Sequence, residues 1–150
     1  MRVEHALRIA APPDVVWAVT EDVERWPELT PTITSVTRVD DGPLRLGSQA
    51  RIKQPAQPEA VWTVTEFVDG ERFAWETRRP GLRMTGSHRV SLSGNGTTNH
   101  LGVEASGVLA VLLGPFLRPV MHRALVQENE GMKARCEAIA RERAQAPSLP

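Results

Sequence analysis

A chain of 150 residues is long enough to bury one sizeable core, and its 18 Lys+Arg balance its 18 Asp+Glu to a formal net charge of zero. A neutral balance argues against nonspecific binding to nucleic acid or to an anionic membrane, both of which need a basic surface. One cysteine, Cys136, excludes an intrachain disulfide and suits a reducing cytosol.

The opening residues Met1-Arg2-Val3-Glu4-His5 lack the apolar core of a signal peptide. The longest apolar run, Val108 to Leu113, is too short to span a bilayer. The expectation is a cytoplasmic domain over residues 1–143 with a flexible tail at 144–150, monomeric or homodimeric, without integral membrane association. Val3 to Ala10 reads as a first strand that ends at Ala11-Pro12-Pro13-Asp14. Proline is tolerated in a first helical turn and Asp14 suits its positive end, so a short helix follows with Val15, Val16, Trp17 and Val19. Thr20 or Asp22 would cap a second short helix that carries Trp26 and stops at Pro27. Strands are expected at Thr32–Val39 and Gly47–Gln54, closed by the turn signals Asp40-Asp41-Gly42-Pro43 and Pro55/Pro58. Ala60–Val68 and Glu71–Arg78 flank Asp69-Gly70, a strong hairpin signal. Met84–Ser93 and Thr97–Ser106 follow, separated by Gly94-Asn95-Gly96.

Gly107–Leu113 reads as an apolar helical piece that Gly114-Pro115 breaks or kinks. Phe116–Arg143 then forms one amphipathic helix with Leu117, Met121, Ala124, Leu125, Met132, Cys136 and Ile139 on one side. Glu128 and Arg135 project into that apolar stripe. The order is α+β: a seven-stranded, curved antiparallel sheet around a long C-terminal helix, with two short helices after the first strand. One helix cannot fill the curve, and the remaining space is an apolar pocket between sheet and helix.

Three stretches carry a resemblance over nearly the whole chain. They are Ala11-Pro12-Pro13-Asp14-Val15-Val16-Trp17 with Asp22-Val23-Glu24-Arg25-Trp26-Pro27; Ala60–Phe67 with Arg72-Phe73-Ala74-Trp75-Glu76 and Gly86-Ser87-His88; and Glu128–Lys133. The chain resembles the START-like (SRPBCC) superfamily, and within it the bacterial polyketide cyclase/dehydrase and lipid-transport group. The resemblance implies the helix-grip fold. It leaves the activity open, because such proteins range from passive carriers to cyclases.

Strand parity assigns the pocket wall. Gly86, His88, Val90 and Leu92 point inward, against Arg89, Ser91 and Ser93. Trp62 and Val64 point in, and Glu66 falls inward or at the rim. Phe73 and Trp75 share the inner face, as do Ala50, Ile52 and Gln54, and Leu101, Val103 and Ala105 complete the wall. The candidate ligand-binding set is Gln54, Trp62, Val64, Trp75, His88, Met121, Leu125 and Glu128. Trp17 reads as packing, Trp26 as a surface staple more than a pocket frame, and Cys136 as a buried inert thiol.

A carboxylate on an apolar helix face must find a partner, take up a proton or meet water in a cavity. Glu128 is therefore either paired with Arg135 or a sheet residue, or a polar anchor and proton acceptor with His88 as its acid/base counterpart. The four histidines are scattered, and neither a phosphate loop nor a nucleophile elbow is present, so no metal or cofactor is expected. Tyrosine is absent, which leaves no phenol to serve as an acid. Three functions are compatible with these residues: binding of a small apolar or aromatic molecule, a cyclase/dehydrase working by acid/base groups, and an interaction protein that uses Val108–Leu117. That last segment reads as pocket wall in preference to an exposed patch.

Overall fold

The computed structural model describes residues 1–147. Its elements are β1 (Arg2–Ile9), α1 (Pro13–Glu21), a 3-10 turn (Val23–Arg25), α2 (Trp26–Leu29), β2 (Ser35–Arg38), β3 (Gln49–Lys53), β4 (Ala60–Val68), β5 (Arg72–Arg79), β6 (Leu82–Ser93), β7 (Gly96–Ser106) and α3 (Val108–Gln145). The strands form one curved antiparallel sheet in the order β1-β7-β6-β5-β4-β3-β2. The first strand therefore closes against the last, and successive hairpins run to the opposite edge. α3 crosses the concave face, packed on β1, β6 and β7 and on α1 and α2.

The core divides in two. The larger part gathers Ile9, Val15, Val16, Val23, Phe73 and Val90 under α1 and α2, and Met132 and Cys136 of α3 close it. Burying each such side chain contributes roughly 1.5–3 kcal/mol. The smaller part, Val3, Leu101 and Leu125, pins the middle of α3 to β1 and β7. Between them sits a polar knot. Asn129, fully buried on α3, accepts from Asn99 Nδ2 at 2.8 Å and donates to His5 O at 3.2 Å and to Asn99 O at 3.3 Å. Replacing it strands these groups in a dry site, so Asn129→Ala is expected to lower the unfolding free energy by about 2–3 kcal/mol in urea titrations.

Several sequence expectations are corrected. α3 begins at Val108, not Phe116, and the helix continues through Gly114, Pro115 and Pro119. Both prolines lie on the exposed side, where water can serve the carbonyls that lose their partners. α3 also extends to Gln145, so only Ala146 and Pro147 of the expected tail are described outside it; 148–150 lie outside the described residues. Pro27 helps start α2 instead of ending a helix, since a first-turn proline lacks an N–H that would have no partner there anyway.

Arg135 is exposed and not in the apolar stripe. Past Glu128 the buried face is set by Asn129, Met132 and Cys136, and Arg135 falls about 100° away from Cys136. Glu66 is exposed beside Arg72, because a bulge between Val64 and Glu66 adds a residue and resets the alternation. Leu92 is 71 % exposed: parity holds through Val90, and then β6 outruns the helices that cover the sheet.

Candidate functional site

The curve of the sheet leaves a cavity of ≈ 450 Å³, partly open to solvent, between β3–β7 and the middle of α3, with Trp26 and Pro55-Ala56-Gln57 among its lining residues. Its aromatic wall is built strand by strand. Trp62 on β4 and Trp75 on β5 lie 6.0 Å apart between ring centroids. Trp75 pairs across the ladder with Gly86, whose missing side chain makes room for the indole, since a Cβ there would sit 3.1 Å from Trp75 Nε1. One step along, Phe73 pairs with His88, and the two rings stack at 4.6 Å. Trp26 approaches His88 from α2 at 4.9 Å and donates its indole N–H to Thr20 O at 3.2 Å. Trp26 is thus buried and lines the cavity, which corrects its reading as a surface staple. The indole N–H groups of both tryptophans on α1 and α2 are satisfied inside the protein, since Trp17 donates to Asp69 Oδ1 at 3.0 Å.

Two ionisable side chains line the cavity, His88 and Glu128. Burial among aromatic rings pushes the His88 imidazole down to about 3, so it is neutral at physiological pH, and its Nδ1 is buried without a hydrogen-bond partner. Glu128 is half-buried, and the surface it retains borders the cavity. Loss of solvent raises its carboxyl to about 7, against the opposing effect of a hydrogen bond from Thr32 Oγ1 at 3.0 Å. No cation pairs with Glu128 among the described residues, so of the two alternatives the ion pair with Arg135 or a sheet residue is not formed there. Thr32 in turn shares a hydrogen bond with Thr30 Oγ1 at 3.0 Å, and Gln54 Nε2 reaches Thr32 O at 3.5 Å. The loop after α2 thereby ties β3 to α3 across the cavity end.

Of the residues expected from sequence to bind ligand, Gln54, Trp62, Trp75, His88, Met121, Leu125 and Glu128 border this one cavity. Val64 does not. It faces inward but is packed in the main core. Sequence reading took Thr32 as the start of a strand, whereas it lies in the turn before β2 with its hydroxyl on Glu128, and it undervalued Trp26, whose following proline in fact marks a helix start. A larger groove of ≈ 790 Å³ between β1 and α3 is shallow and open to solvent, and it encloses no polar group comparable to His88. Cys136 is fully buried and its thiol is pushed up to about 12, which leaves it unreactive. Among the described residues no three His, Cys, Asp or Glu side chains are placed to share a metal ion.

The profile of the polyketide cyclase/dehydrase and lipid-transport family matches residues 1–137. The chain belongs to that family. Solved structures with the same fold include a protein from Thermus thermophilus (19 % identity, TM-score 0.76, covering 93 % of this chain and 99 % of that one). A START superfamily protein from Mycobacterium smegmatis matches at 16 % identity and TM-score 0.75, over 92 % and 98 % of the two chains. The di-domain ARO/CYC protein StfQ of the steffimycin biosynthetic pathway matches at 15 % identity and TM-score 0.73, over 97 % of this chain and 52 % of StfQ. These identities speak to the shared fold alone. No curated protein matches the sequence. For this polyketide cyclase/dehydrase and lipid-transport family member, an apolar cavity under the long helix is the feature that a hydrophobic ligand would use.

Proposed function

We propose that the protein binds a small, uncharged, largely aromatic molecule in the 450 Å³ cavity, with one hydrogen-bonding end placed between His88 and Glu128. The observation that carries this reading is the lining itself. Three tryptophans and many aliphatic side chains line the space with few polar side chains (His88, whose buried Nδ1 has no partner, Glu128, Gln54, Gln57 and Ser87), and no lysine or arginine borders it. A carboxylate ligand such as a fatty acid would enter without a counter-charge and beside Glu128, which costs it affinity. A phenol, enol or ketone of polyketide type meets both polar points without that cost.

Native mass spectrometry of the purified protein, then thermal-shift measurements with flavonoids, anthraquinones, sterols and fatty acids, test this. Neutral aromatic compounds are expected to raise the melting temperature, with a stabilisation of about 2.7 kcal/mol at a hundredfold excess over Kd. Ala124→Phe, which fills the cavity from α3, should abolish the shift and keep the fold. No retained ligand and no shift with any compound, or a shift that survives Ala124→Phe, overturns the reading.

A second reading is favoured by one further observation: the two polar groups are displaced in opposite directions, His88 kept neutral and Glu128 poised near neutral pH. That pairing suits proton transfer next to a carbonyl, the modest acid/base help that cyclisation of a polyketide needs. StfQ, with the same fold, is an ARO/CYC protein. Deuterium exchange at the carbon beside the carbonyl of a bound aromatic ketone, followed by NMR, separates binder from catalyst. Exchange that falls in both Glu128→Gln and His88→Gln supports catalysis, and exchange no faster than in buffer leaves binding alone.

A further inference from the structure

The outward face of α3 changes character along its length. From Val108 to Val120 the only charged residue is Arg118, whereas from His122 onward that face carries Arg123, Gln127 and Glu130. Val108, Val111, Leu112, Phe116 and Val120 are 61–78 % exposed. The expectation that this segment is pocket wall is therefore corrected. Only Leu113, Leu117 and Val120 border the cavity, and the rest form an apolar surface about 20 Å long at 1.5 Å per residue. Contiguous apolar patches of this kind mark a contact surface.

We propose that this face docks on an anionic lipid bilayer, with the first turns of α3 lying in the plane of the headgroups. The charges around the patch carry the choice of occupant. On one side the β5–β6 hairpin, whose Gly81 O accepts Leu109 N at 2.9 Å, brings Arg78, Arg79 and Arg83. On the other, Arg2, Arg118 and Arg123 line the groove between β1 and α3. Glu76 takes Arg78 and Arg83, and Glu4 takes Arg2. Arg79, Arg118 and Arg123 enter no ion pair among the described residues. The zero net charge is a sum over the whole chain; beside the apolar face Arg79, which donates to Pro58 O, and Arg118 and Arg123 stay outside ion pairs, with Glu104 the carboxylate that shares a groove with Arg118. An apolar helix face with a cationic rim complements anionic headgroups.

A second copy of the chain fits less well, because a two-fold contact would set the arginine rim against itself. A transmembrane span fits less well too. α3 is long and apolar enough to cross a bilayer, but its inner face is packed on β1, β6 and β7, so it can lie along a membrane and not through it. Docking on this face would also place the cavity beside the bilayer, since Leu113 and Leu117 border the cavity from the inner side of the same turns.

Sedimentation with vesicles of phosphatidylcholine alone, or of phosphatidylcholine with phosphatidylglycerol, tests the proposal. The protein is expected to partition onto phosphatidylglycerol vesicles about tenfold more strongly than onto neutral ones, and less so at high salt. Leu112→Asp and Phe116→Asp, which do not border the cavity, should lose that binding while circular dichroism melting and ligand thermal shifts stay as in the wild type. Absence of binding to either vesicle, or binding that survives both variants, overturns the proposal, whatever the cavity holds. So does loss of folded protein in either variant, which would make the face a buried one. A concentration-dependent dimer that Leu112→Asp converts to monomer, without vesicle binding, would assign the face to a second copy.

Discussion

Between pH 4.5 and 6.5 the Glu128→Gln and His88→Gln variants are expected to change stability with opposite signs, while the wild type changes far less. Glu128 is raised from 4.5 to about 7 on folding. Its contribution is fully present below 4.5 and is lost as pH rises through 7. His88 is lowered from 6.5 to about 3. Its contribution is fully present above 6.5 and is lost as pH falls through 3. In the interval the two share, each pH unit moves each contribution by about 1.4 kcal/mol in opposite directions, and they offset one another. Removing Glu128 leaves the histidine slope, so that variant gains up to about 3 kcal/mol from pH 4.5 to 6.5, and removing His88 leaves the loss. Water in the cavity reduces both figures without changing their signs. The carboxylates of Asp40, Glu76 and Glu137 are held low by hydrogen bonds and ion pairs and form a common background, so the differences from wild type are what count. Urea titrations across the interval give the three curves. If they run parallel, both groups reach bulk water in the folded protein and the cavity is not dry enough to hold them apart.

Gly131→Ala is expected to destabilise the fold by about 3 kcal/mol, although alanine favours a helix over glycine by about 1 kcal/mol. α3 reaches Leu29, the last residue of α2, so closely that a Cβ at 131 would lie 2.0 Å from Leu29 O. The obstacle is backbone and cannot rotate aside. Relief requires α2 to move, and the residues that follow it are Thr30 and Thr32, the latter holding Glu128. The variant should therefore lose ligand affinity as well as stability. A change under about 0.5 kcal/mol in urea titrations would show that the two helices do not approach this closely.

The fold was legible because its signals are local. Alternation marks β4 through β7, Asp69-Gly70 and Gly94-Asn95 mark hairpins, and the spacing from Leu125 to Ile139 marks the buried side of α3. The cavity wall was legible for the same reason, since parity alone places Trp62, Trp75 and His88 on one face. What was not legible depends on contacts distant in sequence. Thr32 matters through Glu128, 96 residues away, and Asn129 through His5 and Asn99, and no short pattern announces such pairings. Glu66 failed because a single bulge inverts every later parity assignment on its strand. Val108–Leu117 failed because hydrophobicity says that a side chain avoids water, not that this chain alone supplies the cover.

The aromatic wall also equips the protein with its own optical reporter. All four tryptophans are buried, three of them border the cavity, and there is no tyrosine to contribute background emission. Excitation near the indole band therefore reads the cavity, with Trp17 separated from its tryptophans by the ring of Phe73 and neutral His88 in contact with Trp26. A molecule that fills the space meets rings on three of its lining elements. The light the protein emits, with no label attached, changes colour and lifetime as the space fills.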